Sequence, residues 1–151
     1  MAKKDISKFP VSVHLLIFDN NKILLSKRKN TGFYDGFYSL PAGKLEHNES
    51  VSKCMIREAK EEIDVILEKF DIVHVMNRKG NDSVRIDYFF VAKKYNGFIK
   101  NNEPNKCSEL KWFKMDNLPT NTIEYIKDAI NYIKHDQMFS EYGWLEQGEE
   151  K

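Results

Sequence analysis

Three glutamates, Glu58, Glu61 and Glu62, fall at i, i+3 and i+4 within the run GKLEHNESVSKCMIREAKEEIDV, residues 43–65. On a helix this spacing sets the three carboxylates on one side. Like charges four residues apart destabilise a helix, so the cluster calls for a neutralising cation. Oxygen-rich acidic sites suit hard divalent ions such as Mg²⁺, which keep room for water and substrate phosphates.

The helix that carries them has a readable face. At about 100° per residue, Val51, Met55, Ala59 and Ile63 form one apolar stripe. Glu62 falls inside the stripe, Glu58 at its edge and Glu61 one step further round. Lys53, Arg57 and Lys60 take the far, solvated side. A carboxylate is rarely buried without a partner; a bound cation and Arg57 are both candidates. The preceding loop supports this unit. Leu40-Pro41-Ala42-Gly43 breaks regular structure, Asn48 tolerates left-handed backbone, and Ser50 is placed to cap the helix. Glu49 reaches Arg57 only if the loop folds back.

The segment resembles the signature of the Nudix hydrolase superfamily, G-x5-E-x7-R-E-U-x-E-E-x-G-U with U aliphatic. Gly43, Glu49, Arg57, Glu58, Glu61, Glu62 and Val65 match at the required spacing. Ala59 is a weak match for an aliphatic position, and Asp64 replaces the usual glycine; Asp adopts positive φ at some cost. Gly36 to Gly43 is similar to the strand that leads into the signature. Glu103 to Cys107, then Leu110, Trp112-Phe113 and Leu118-Pro119, resembles the late strand and exit of small bacterial-type members.

The resemblance implies Mg²⁺- or Mn²⁺-dependent hydrolysis of a pyrophosphate bond in a nucleoside diphosphate linked to another moiety. A nucleoside triphosphate is the favoured substrate, on small size and the lack of an extra domain. By motif position, Glu61 and Glu62 are metal ligands, and Glu58 is a ligand or the group that takes the water's proton. Gly43 admits the backbone to the metal and offers its carbonyl, while Glu49 and Arg57 are a structural pair. A further acid from outside the signature is expected; Glu103 is preferred to Glu109 because it precedes a proline in a loop. Lys27 and Arg28 end a strand near the cleft and are candidates for holding phosphates. Phe33 and Tyr34 are expected to be exposed and to stack a base, because Phe37 and Tyr38 continue into a strand where one must face the core. The alternative is a catalytically silent Nudix-like module that binds or senses nucleotides, which the intact glutamate set disfavours.

Composition bounds the rest. The 151 residues carry a net charge of +1, with 41% hydrophobic and 13% aromatic residues. That length is one domain, with a core from about residue 9 to 145 and a frayed tail at 146–151. The charge gives no general drive toward nucleic acid or anionic membrane. Cys54 and Cys107 are too few for a disulfide framework and lack metal-site spacing, so they read as free thiols in a cytoplasmic protein. No stretch approaches a membrane span. The small-molecule nucleotide is the expected partner, and a homodimer is left open.

Val11–Phe18, Lys22–Lys29, Phe37–Leu40, Asp71–Arg78, Arg85–Tyr95 and Leu110–Met115 read as strands. Ser50–Ile63 and Thr122–His135 read as helices. His14 and His74 lie in strands without carboxylate neighbours in sequence and read as structural. The tail from Phe139 to Trp144 is aromatic and expected to pack down. Hairpin-linked strands with two helices predict an α/β or α+β fold, a three-layer sandwich with a mixed sheet between helices.

Overall fold

The computed structural model describes residues 5–81 and 83–144; the expected frayed tail at 146–151 lies outside them. A five-stranded sheet runs in the order β5 (Ala42–Lys44), β1 (Val11–Leu16), β7 (Val84–Asn96), β6 (Ile66–Lys79), β9 (Phe139–Tyr142). It is mixed: β1 runs parallel to β7 and β6 parallel to β9, while β1–β5 and β6–β7 are antiparallel. A second sheet joins β3 (Lys22–Arg28) to β2 (Phe18–Asp19), β4 (Tyr38–Ser39) and β8 (Cys107–Lys114).

Side chains alternate across a strand, and β1 uses both faces. Val13, Leu15 and the following Ile17 pack with Met55, Ala59 and Ile63 of helix α1 (Val51–Ile63). Leu16 packs on the other face with Ile126, Ala129 and Ile130 of helix α2 (Glu124–Lys134). The helices therefore cover opposite faces, and the three-layer α+β arrangement stands.

Two boundaries differ from the sequence reading in ways that matter to the fold. The sixth strand begins at Ile66 rather than Asp71, because it pairs along its whole length with β7 through register shifts. The aromatic tail is an edge strand, β9. His74 ties it down: its Nδ1 lies 2.7 Å from the Gln137 carbonyl, its Nε2 2.7 Å from Ser140 Oγ. Asp136 at φ 55 makes the turn into it. Among the described helices, none is long and apolar enough to cross a membrane.

One buried charge cluster stitches three neighbouring strands. Asp87 on β7 is fully buried. Arg78 on β6 donates to both its oxygens, from Nε at 2.7 Å and from Nη2 at 3.3 Å. His14 Nε2 on β1 lies 3.2 Å from Oδ1. His14 thus has the carboxylate neighbour that its sequence surroundings lack, brought by the β1–β7 pairing. Burial alone raises the Asp87 carboxyl; His14 and then Arg78 outweigh it and hold it at about 2. The folded value lies below the unfolded one. The stabilisation is thus full at neutral pH and is lost as pH falls toward 2. The shift corresponds to about 2 kcal/mol, of which about 1 kcal/mol is gone by pH 3. Urea unfolding at pH 7 and pH 3 should show wild type losing about 1 kcal/mol more than Asp87→Asn. Equal losses would mean that Asp87 titrates alike in the folded and unfolded chain.

Candidate active site

Helix α1 begins where the sequence places it. Ser50 is its cap, its hydroxyl accepting the Lys53 N–H at 3.2 Å. It ends at Asp64, at φ 59, where the family pattern has glycine. Lys60 Nζ holds the Asp64 carboxylate at 2.6 Å.

Arg57 departs from its expected place on the solvated side. Its long side chain curls back and is only 23% exposed. Nε and Nη2 bind Glu49 bidentately at 2.7 and 3.0 Å. Nη2 also reaches the Lys44 carbonyl at 3.2 Å. Nη1 donates to Glu58 at 2.9 Å and Glu61 at 3.1 Å. A planar fork of five donors makes this possible. The loop does fold back: Asn48 is left-handed at φ 61, and the Glu46 N–H donates to Glu49 Oε1 at 3.0 Å. The Arg57 hydrogen bond, then that of Glu46, draws the Glu49 carboxyl down to about 2.

Glu58 and Glu62 meet a different environment. Both are half-buried. Glu62 Oε2 accepts the Ala42 N–H at 2.8 Å. Burial first, then the charge of Glu58, raises its carboxyl well above the usual range. Burial also raises Glu58, against the opposing pull of Arg57. Gly43 is what lets Glu58 lie there, since a Cβ built on it would overlap the Glu58 carboxyl.

The acid from outside the signature arrives through the helix end. Asn102 donates its N–H to the Glu62 carbonyl at 2.9 Å, and its side-chain amide to the Glu61 carbonyl at 3.2 Å. Lys100 N–H reaches the Ile63 carbonyl at 3.1 Å. This clasp uses orphan carbonyls of the last helical turn and sets the next residue, Glu103, in the cleft wall. Glu109 takes another course: it accepts the Tyr38 hydroxyl at 2.8 Å and lies outside the cleft lining.

Gly43, Glu58, Glu61, Glu62, Glu103 and Arg28 all line one cleft of about 650 Å³. Among the described residues no three acidic, His or Cys side chains already converge as a metal cage; Arg57 Nη1 bridges Glu58 and Glu61 instead. The donor set nevertheless fits a divalent cation. It is all oxygen, Gly43 provides a cradle that a side chain would fill, and two carboxylates are held there against burial and mutual repulsion.

The aromatic loop divides. Phe33 lines the cleft under Arg28, whose guanidinium lies 5.3 Å from the ring centroid and whose Nε donates to the Phe33 carbonyl at 2.6 Å. Tyr34 is exposed but stands outside the lining, its ring edge-on to Phe33 and Phe37. Asp35 bends the loop by accepting the N–H groups of Thr31 and Gly32. Tyr38 is buried and Phe37 is not. Lys27 lies with Nζ 5.6 Å from the Tyr38 ring and outside the lining. Sequence reasoning missed His14, Arg78 and Tyr125, which also line the cleft.

Residues 8–134 match the family model described as NUDIX domain. The chain belongs to the Nudix hydrolase superfamily. It is 30% identical over 142 residues to the ADP-ribose pyrophosphatase of Methanocaldococcus jannaschii, covering 89% of this chain and 82% of that protein. It is also 30% identical over 108 residues to the NAD-capped RNA hydrolase NudC of Pseudomonas aeruginosa, spanning 72% of this chain but 37% of that protein. The solved MutT NUDIX hydrolase from Burkholderia pseudomallei superposes with a TM-score of 0.75 at 27% identity, over 81% of this chain and 95% of that one. This chain is thus a Nudix hydrolase, acting on a phosphoric anhydride in a nucleotide-linked substrate.

The geometry makes Arg57 the joint between loop and helix. Arg57→Ala leaves Glu49 without its cation, and Tm should fall by roughly 5–10 °C. Arg57→Lys keeps the charge but loses the fork and should recover only part of this. Thermal melts of the three proteins decide it; an unchanged Tm in Arg57→Ala would remove the joint.

Proposed function

We propose that this Nudix hydrolase cleaves the pyrophosphate linkage of a nucleoside triphosphate with Mg²⁺ or Mn²⁺. The observation that carries the reading is the pair of half-buried carboxylates, Glu58 against Gly43 and Glu62 on the Ala42 N–H, in a cleft also walled by Glu61, Glu103 and Arg28. Glu61 and Glu62 would hold the cation, with the Gly43 carbonyl and Glu103 as further oxygen ligands. When bound, the cation neutralises phosphoryl oxygens and makes a bound water acidic.

The chain's own groups do the remaining work. Glu58 is a further ligand or takes the proton of the attacking water; neighbouring carboxylates titrate as a set. Arg57 keeps Glu58 and Glu61 pointing one way through Nη1. Arg28 meets the phosphate chain at the cleft mouth. Phe33 offers a face to the base there; Tyr34, outside the lining, supports Phe33 edge-on. The relatives' named substrates differ, and the triphosphate rests on the cleft's size.

A panel of nucleoside triphosphates, nucleotide sugars and dinucleotides, assayed for released phosphate or pyrophosphate, should show Mg²⁺-dependent turnover highest on a triphosphate. Full turnover in excess chelator, or a preference for a nucleotide sugar, would overturn the reading. Glu62→Gln should lower turnover by roughly 10²-fold or more, while metal-free stability holds or rises as carboxylate repulsion is relieved.

Gly43→Ala tests the cradle separately. The added methyl displaces the Glu58 carboxyl, and misplacement of a reacting group by about 1 Å costs roughly 10²-fold in rate. Near-normal turnover in this variant would show that Glu58 need not lie against the Gly43 backbone.

A further inference from the structure

The glutamates reach the cleft from α1, but a second polar cluster reaches it from the α2 face of the sheet. His14, Arg78 and Tyr125 line the cleft there and are each more than nine-tenths buried. Arg78 lies flat on Tyr125, its guanidinium carbon 3.8 Å from the ring centroid. Asp87 takes Nε and Nη2, while Nη1 makes no hydrogen bond to the described residues. Beside it, His14 stacks on Phe89 with centroids 4.6 Å apart. Its Nε2 faces the carboxylate, and its Nδ1 is a buried nitrogen without a hydrogen-bond partner among the described residues.

We propose that His14, Arg78, Asp87 and Tyr125 form the base-reading subsite of the cleft, and that it selects keto bases over amino bases. The proposal rests on the reading that the cleft takes a nucleotide. In the neutral imidazole the nitrogen that faces the carboxylate, Nε2, is the one that donates, and Nδ1 then presents a lone pair. The two residues meet on Asp87 Oδ1, so the wall carries a donor, Arg78 Nη1, and an acceptor, His14 Nδ1, on adjoining side chains. Guanine, hypoxanthine and uracil carry a carbonyl oxygen next to a ring N–H, the complement of that pair. Adenine and cytosine carry an amino group next to a bare ring nitrogen, which sets donor against donor and acceptor against acceptor. A phosphate is the poorer occupant, because Asp87 already neutralises Arg78. Asp87 and Tyr125 are positioning residues: one fixes the fork and the imidazole tautomer, the other holds the guanidinium plane.

Calorimetry on the wild-type protein with GMP, AMP, UMP, CMP and base-free ribose 5-phosphate tests this without turnover. GMP should bind about tenfold or more tighter than AMP, and UMP than CMP, the scale of one well-matched base-edge contact. His14→Gln and Arg78→Lys should each shrink those ratios while ribose 5-phosphate binding stays put. Should Arg78→Lys fail to fold, the wild-type ratios and His14→Gln still decide. Equal affinity for keto and amino bases overturns the proposal. So does a loss on ribose 5-phosphate as large as on GMP, which would make the cluster a phosphate site. Keto-selective binding without hydrolysis of any triphosphate would uphold this subsite and defeat the proposed reaction.

Discussion

One guanidinium balances four carboxylates at the loop–helix joint. Arg57 lies within ion-pair distance of Glu46, Glu49, Glu58 and Glu61. A helix face that carries like charges a turn apart is unfavourable, and Arg57 offsets this locally while tying the helix to the Lys44 carbonyl beside it. The compensation is incomplete. Among the described residues the Glu62 carboxylate accepts a hydrogen bond only from the Ala42 N–H, and burial leaves its charge poorly supported. The fold therefore keeps an acidic site whose charge is only partly offset, with Gly43 leaving room for the Glu58 carboxyl.

The sheet determines what that site can meet. Because β1 alternates between two cores, α1 and α2 both hang from it on opposite faces. The short edge strand β5 ends the sheet beside β1, and the cleft gathers residues from both layers. An acidic helix face and a buried Arg–Asp–His cluster thus share one space without touching in sequence. Glu103 is carried in through the Asn102 clasp on the end of α1, made by the N–H and side-chain amide of Asn102.

This explains which parts were legible in the sequence. The loop and helix from Gly43 to Val65 are local, and their spacing, cap and left-handed Asp64 follow from residue type. Arg57 was harder: projection puts its Cα on the solvated side, and only the reach of its side chain brings it back. The His14–Asp87–Arg78 cluster spans 73 residues of chain. Alternation told which residues share a face of each strand, but not that Ser12 sits opposite Asp87 in the β1–β7 register. The last strand was hidden for a similar reason. Four residues at an edge carry little pattern, and it is His74, far upstream, that anchors them. Tyr34 misses the cleft lining because Asp35 closes the loop on its own N–H groups, a tertiary detail that aromatic content does not encode.

The division has a consequence for how one fold serves several substrates. Proteins that share about 30% identity with this chain are named for different substrates, ADP-ribose and NAD-capped RNA. Function resides in sites placed on a common fold. The acids are fixed by a contiguous segment in which each residue constrains the next: Glu49 needs Arg57, Arg57 orients Glu58, and Glu58 needs Gly43. The α2-face cluster obeys no such local rule. It requires only that three strands keep their register, which their apolar cores enforce whatever polar side chains project into the cleft. Selectivity can therefore change on the sheet while the acidic helix stays as it is, through the polar side chains that β1, β6 and β7 bring to the cleft, among them His14, Arg78 and Arg85.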